Sequence, residues 1–333
     1  MQTNFDAFVV FAHFESTGRL WFALGDGTVR LSLGSDILVM QSHQGAVLSA
    51  CPHPSGSGLL TSGDDGRVVW SRLEGAQPVT TCLVDLPGQW IEPITASPIS
   101  GLIAFSAGRN VHIRDHADPA LERSFSLERT ASGLAFDPKG RRLAVATYGG
   151  VSLWYPRVAD QKSMWLRWAG SHIHVLWSPD GRFLLSSMQE NQLHGWRLND
   201  SRDMRMGGYP SKIHSLAFVD KGKMMLTSGA QGAVLWPFAG SNGPMNQEAI
   251  EIAYDASSLI TRVAAAPGRP IVAGGRDNGE VWVTDLSTGH PVVLSPGSGS
   301  PVSALSFSPD GQSLAFGREN GEAQHLNLSV AGF

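Results

Sequence analysis

Phe307-Ser308-Pro309-Asp310-Gly311 and Trp177-Ser178-Pro179-Asp180-Gly181 are two copies of one phrase, an aromatic that ends a strand followed by a tight turn. Proline presets φ, aspartate bonds to the local backbone, and glycine accepts a positive φ that other residues resist. Weaker copies stand at Phe136-Asp137-Pro138-Lys139-Gly140, Phe218-Val219-Asp220-Lys221-Gly222, Phe14-Glu15-Ser16-Thr17-Gly18, Pro52-His53-Pro54-Ser55-Gly56, Ser97-Pro98-Ile99-Ser100-Gly101 and Ala265-Ala266-Pro267-Gly268. The phrase therefore occurs eight times, and self-similarity at a fixed period is the mark of a repeat architecture.

After each copy comes a short apolar strand, a second tight turn, and a strand that often carries Trp. The second turns are Gly25-Asp26-Gly27, Asp64-Asp65-Gly66 before Trp70, Tyr148-Gly149-Gly150 before Trp154, Glu190-Asn191 before Trp196, Gln231-Gly232 before Trp236, Asp277-Asn278-Gly279 before Trp282, and Asn320-Gly321. The unit around Gly108-Arg109-Asn110 is the most degenerate. From Gly27 through Gly66, Gly108, Gly149 and Asn191 to Gly232 the turns are 39 to 42 residues apart, and the step to Gly279 is 47. The long step contains a polar insertion, Gly240-Ser241-Asn242-Gly243-Pro244, so residues 240–247 are expected to form a surface loop.

A period near 42 with hairpin turns at fixed offsets resembles the WD-repeat (WD40-type) β-propeller family. The third-strand Trp residues at 70, 154, 196 and 236 carry the resemblance, with WD-like strand endings at Val283-Thr284-Asp285 and Ile113-Arg114-Asp115. No repeat has a literal Trp-Asp pair, and only Ser42-His43-Gln44-Gly45 looks like the family's His-containing loop. The resemblance implies an all-β fold, a closed β-propeller of four-stranded antiparallel blades forming one domain over residues 1–333. The turn pairs count eight blades, with seven as the alternative if the first unit, Val9 to Leu33, is an irregular hairpin. In one blade, His43, Ser62, Asp64 or Asp65, and Trp70 are placed to complete the family's buried hydrogen-bond set.

Apolar residues alternate in the first strand of each unit, as in Leu305 and Phe307, Leu134 and Phe136, or Leu216 and Phe218, with Ala304, Ala135 and Ala217 interleaved. Such faces pack sheet on sheet, and the Trp residues belong to the cores between blades. The last unit supplies three strands before the chain ends. Residues Gln2 to Phe5 are the candidate for its fourth, which would cover an otherwise open sheet edge.

Composition narrows the function. Charged residues make up 16% of the 333, below the usual share, while 38 Gly and 19 Pro suit many short strands joined by turns. A net charge of −4, with 25 Lys plus Arg dispersed among 29 acidic residues, offers no basic stripe for nucleic acid and no field toward an anionic membrane. No apolar run approaches the ~20 residues of a membrane span. The two cysteines, Cys51 and Cys82, fall in the first and fourth strands of one unit, ~14 Å apart in a flat sheet, too far for a disulfide. Two free thiols point to a reducing compartment, and the expected location is cytoplasmic.

No nucleophile elbow, phosphate-binding loop, His-Glu-x-x-His or Cys-x-x-Cys occurs in the chain. The most suggestive cluster is His172-Ile173-His174, because alternate residues on a strand share a face, with His214 one unit on. A metal-dependent protein or a hydrolase- or lactonase-like propeller enzyme, its site in the central channel, is the alternative that this cluster keeps open. The expected function is instead a non-catalytic scaffold that presents a propeller face to a partner protein, a monomeric ring within a complex that needs no cofactor. In WD-repeat-like rings the loop before the first strand and the turn after the second open on one face. That face should carry Trp90, Glu92, Arg109, Tyr148, His172, His174, His214, Arg262, Arg276 and Arg318, residue types that include the common interface anchors Trp, Tyr and Arg.

Overall fold

The second strand of each unit has no polar face: Leu59-Leu60-Thr61-Ser62-Gly63 is apolar or small throughout. The computed structural model of the chain describes residues 2–34, 36–158 and 163–333, with backbone only at 330 and 331, and it shows why. Every residue of Leu59–Gly63 is buried, as is every residue of Leu20–Leu24, Leu102–Ala107, Phe183–Met188 and Ile271–Arg276. A strand covered on both sheet faces reads as a continuous apolar run, whereas a half-solvated strand alternates. The outer strand Glu122–Ser126 alternates between exposed and half-buried positions.

Strands pair antiparallel with their sequence neighbours. The first sheet runs Val9–Phe14, Leu20–Leu24, Thr28–Leu33, Asp36–Gln41, and the next Val47–Pro52, Leu59–Gly63, Arg67–Glu74, Gln77–Asp85. In the last sheet Val302–Phe307, Ser313–Arg318 and Glu322–Asn327 are joined by Gln2–Asn4 from the other end of the chain. Gln2 lies opposite Gln324 and Asn4 opposite Glu322, and the Phe5 amide donates to the Gly321 carbonyl at 2.9 Å. The N-terminal strand is therefore the outer strand that the last unit lacks.

Hydrogen bonding groups the described strands into seven sheets, six of four strands and one of six elements, so the expected eight blades are corrected to seven. The cause lies in the fourth and fifth units. Leu143–Trp154 runs 12 residues through Tyr148-Gly149-Gly150, and Met164–Trp177 runs 14 residues into the next unit. Tyr148 pairs with Ser171, which ties the two units into one hydrogen-bonded sheet. The turn chemistry is nonetheless present, with φ of 91° at Gly149 and 144° at Gly150, where the register shifts.

Side-chain packing is more regular than hydrogen bonding. Eight apolar clusters of described residues join successive repeat units. Trp21 and Leu31 meet Val47 and Leu59 between the first and second units. Ala144 and Leu153 meet Trp177 and Leu184 between the fourth and fifth. Ala304 and Ala315 of the last unit meet Val9 and Phe22 of the first. The insertion at 240–247 is only partly the surface loop expected. Ser241 and Asn242 are exposed, but Gly243 and Pro244 are buried, Met245 packs against the core of the fifth and sixth units, and Arg197 of the fifth unit bonds to Asn242.

Trp282 lies fully buried between the sixth and seventh units. Trp282→Ala should lower the unfolding free energy by about 3–5 kcal/mol. Urea denaturation of the two proteins measures it, and a loss below about 1 kcal/mol would be incompatible with a Trp that keys two units together.

Candidate functional site

In the first strand of several units the register slips near its start, between Val9 and Phe11, Val47 and Ser49, His172 and His174, Ile260 and Arg262, and Val302 and Ala304. A bulge here leaves one residue unpaired and re-aims its side chain. Two bulge residues use their hydroxyls to reach the next unit: Thr261 Oγ1 donates to the Val302 carbonyl and Ser303 Oγ to the Val9 carbonyl, each at 2.7 Å. Ser132 Oγ bonds similarly to the His172 carbonyl at 2.6 Å, and Ser62 Oγ to the Glu92 carbonyl at 3.1 Å.

The second unit carries the buried set that the repeat signature suggested, with different members. His43 Nδ1 donates to Asp65 Oδ1 at 2.9 Å, and His43 Nε2 meets Thr61 Oγ1 at 2.8 Å. Ser62 is therefore replaced by Thr61, whose side chain points to the other face of the strand. Asp64 instead accepts from the Ala46 amide, and the Trp70 indole donates to the Ser57 carbonyl. Burial raises the Asp65 carboxyl, but hydrogen bonds from His43, Gln44 and Arg67 outweigh it and hold it below its ordinary value. The sixth unit builds a comparable set that the sequence did not flag. Tyr209 Oη meets Thr227 Oγ1 at 2.7 Å and accepts from the Trp236 indole at 2.6 Å.

Of the ten residues expected on the binding face, the structure separates those that are free from those already engaged. Trp90 and Tyr148 are 71% and 60% exposed, and Glu92, Arg109 and His214 are also exposed. Arg276 and Arg318 are each only 3% exposed, which corrects their expected availability to a partner. Arg276 binds Glu280 at 3.0 Å and, from Nη1, the Gln231 carbonyl at 3.0 Å and Ser258 Oγ at 3.2 Å. Arg318 binds Glu322 at 2.7 Å, and its Nε and Nη2 reach the Gly279 carbonyl at 3.0 and 2.8 Å. Gln231 and Gly279 sit in the turn after the second strand of the preceding unit. Each guanidinium is thus a clasp between neighbouring units. Half-buried Arg262 is engaged too, with Nε donating to the Ser303 carbonyl at 2.7 Å.

The histidines also divide. The bulge at Ile173 removes the common face expected of His172 and His174. His172 is fully buried, with Nε2 donating to the Trp168 carbonyl at 3.0 Å and Nδ1 at 2.6 Å from Ser186 Oγ. His174 faces other basic groups. Burial, then His214 and Arg262, push its pKa down to about 4. Among the described residues no group of three or more His, Cys, Asp or Glu converges as metal ligands do. Cys51 and Cys82 are free thiols, and burial pushes Cys51 up to about 12.

A surface feature that the sequence reading missed lies between the third and fourth units. A groove of about 430 Å³ is lined by Leu127, Arg129, Tyr148, Trp154, Trp165 and Arg167, among others. Of these, Tyr148 was expected on the binding face and Trp154 in the core between blades. The available signal was Trp165 and Arg167, placed alternately with Met164, Leu166 and Trp168 on an outer strand where one face meets solvent.

Residues 34–70, which contain the His43 set, match the model of the WD domain, G-beta repeat family. This stretch is thus similar to a WD40 repeat, and the four-stranded antiparallel sheets around it are those of a β-propeller. It is similar to the Periodic tryptophan protein 2 homolog of Dictyostelium discoideum, 24% identical over 265 residues that cover 72% of this chain and 28% of that protein. A stretch of 124 residues, 37% of the chain, is 28% identical to part of an anthranilate phosphoribosyltransferase of Thiobacillus denitrificans, covering 33% of it. The chain thus spans about a third or less of the length of these curated relatives. Among solved structures, the computationally designed Ika8 protein superposes with a TM-score of 0.76 at 18% identity, over 97% of both chains, a likeness of fold.

Two outcomes follow from the engaged groups of the propeller. Arg276→Ala should cost about 2–3 kcal/mol of stability, because it orphans buried carbonyl acceptors and Glu280; chemical denaturation measures this, and an unchanged midpoint would remove the clasp. The second concerns pH. His53, stacked on Trp70 at 3.9 Å, and His174 and His194 are each pushed down to about 4, mainly by burial. Between about 4 and about 6.5 the unfolded chain therefore binds more protons than the native one, so stability present above about pH 6.5 is lost as pH falls toward 4. The urea midpoint should drop across that window, and His53→Phe should flatten the slope by one proton's share.

Proposed function

We propose that this propeller is a non-catalytic protein-interaction scaffold acting in the cytoplasm, and that residues 1–333 form one domain that presents a rigid face to a partner. The observation that carries the reading is the exposure of Trp90 and Tyr148 on the loops and turns of neighbouring units, beside exposed Arg109 and Glu92. Large aromatics left in water on a rigid frame are the residues that dominate interface energy when a partner covers them. The segments that hold them are bonded to the frame, since the Leu86 amide donates to the Gly66 carbonyl at 2.9 Å and the Gln89 amide to Leu86 at 3.2 Å ahead of Trp90, and Tyr148 pairs with Ser171. Little ordering cost remains to be met on binding.

Tyr148 pairs with Ser171 within the six-element sheet and its side chain is exposed there, which supports its part in the proposed contact.

The test is affinity capture from cells under mild conditions, followed by measured affinities for the proteins recovered. Trp90→Ala and Tyr148→Ala should each weaken a recovered partner by about 2 kcal/mol, roughly thirtyfold in Kd, with thermal stability nearly unchanged. Full affinity in both variants would place the contact on another surface.

A further inference from the structure

Many arginines of this protein are matched by a carboxylate: Arg19 by Glu15, Arg72 by Glu74, Arg114 by Glu122, Arg142 by Asp137 and Arg157 by Asp115. Arg129 and Arg167 are among those that are not, and they share one groove. Among the described residues neither has a hydrogen-bond or ion-pair partner, and each lies over an aromatic ring instead. The Arg129 guanidinium is 6.0 Å from the Tyr148 ring centre and the Arg167 guanidinium 6.0 Å from that of Trp165. Both pairs line the groove between the third and fourth units, where Glu128 is the one carboxylate among the lining residues. The cavity beneath the second and third units differs, since its Arg114 already holds Glu122 and its Asp115 holds Arg157.

The groove floor is rigid. Trp154 stacks on Phe125 at 3.7 Å between ring centres, and its indole donates to Ser152 Oγ at 2.8 Å. Trp165 and Arg167 stand two residues apart on one strand, so they share a face at a spacing of roughly 7 Å. Alternate residues of an extended chain laid along that strand have the same spacing.

We propose that this groove binds an extended anionic peptide segment of a partner protein, its acidic side chains meeting Arg129 and Arg167 and its apolar residue lying on Tyr148 and Trp165. The proposal rests on the scaffold reading and names the chemistry of one of its partners. Charge complementarity selects the occupant. Two guanidinium groups that have no ion-pair partner among the described residues, each beside an aromatic face, suit carboxylate or phosphate oxygens. A long polyanion fits less well, because the net charge of the chain is −4 and Glu128 stands inside the groove.

Fluorescence anisotropy of the full chain with two labelled peptides tests this. In one, glutamates alternate with serines around a central phenylalanine; in the other, phosphoserines replace the glutamates. Binding of either peptide, weakened about tenfold or more in an Arg129→Gln, Arg167→Gln double variant but unchanged in Arg141→Gln, is the expected result. Thermal melts of the three proteins should coincide, since neither groove arginine holds the fold together. Absence of binding by both peptides, equal binding by the double variant, or tighter binding of a single-stranded oligonucleotide than of either peptide overturns the assignment. Partner capture that needs Trp90 yet survives in the double variant, with no peptide bound, sinks the groove alone and leaves the scaffold standing.

Discussion

Every sheet of this protein depends on having a neighbour on both sides. The second strands are buried from end to end, so a lone unit would expose two apolar faces at once, and no local interaction compensates for that. Burial of this kind stabilises only a closed ring. The ring closes where Ala304 and Ala315 pack against Val9 and Phe22, where Ser303 Oγ reaches the Val9 carbonyl, and where Gln2–Asn4 completes the last sheet.

The same closure consumes most of the polar groups near the inner strands. Hydroxyls of Ser132, Thr261 and Ser303 bridge units, and Arg276 and Arg318 clasp the turn of the unit before them. Their spacing of 42 residues is the repeat period, and each has a glutamate four residues on, Glu280 and Glu322. These arginines are repeat elements of the frame, which is why a reading by residue type placed them on the binding face. The groups that the frame leaves exposed include Trp90, Tyr148 and Trp165.

Turn chemistry, hairpin spacing and the alternation of outer strands are local properties, and the sequence by itself determined them. The eight turn phrases, the all-β repeat and the role of Gln2 to Phe5 as an added strand were legible for that reason, and so was the His43 loop as the best-preserved repeat signature. Tertiary structure decided what depends on neighbours. A one-residue bulge at Ile173 sent His172 into the core and His174 toward His214, a distinction that strict alternation hides. The seam from Tyr148 to Ser171 merged two units into one hydrogen-bonded sheet without altering their turns. Whether an arginine is spent or free was settled by carbonyls some 40 residues away in sequence, such as Gln231 for Arg276 and Gly279 for Arg318. Side-chain availability is a property of the packed ring, because the acceptors that claim each donor come from the adjoining unit.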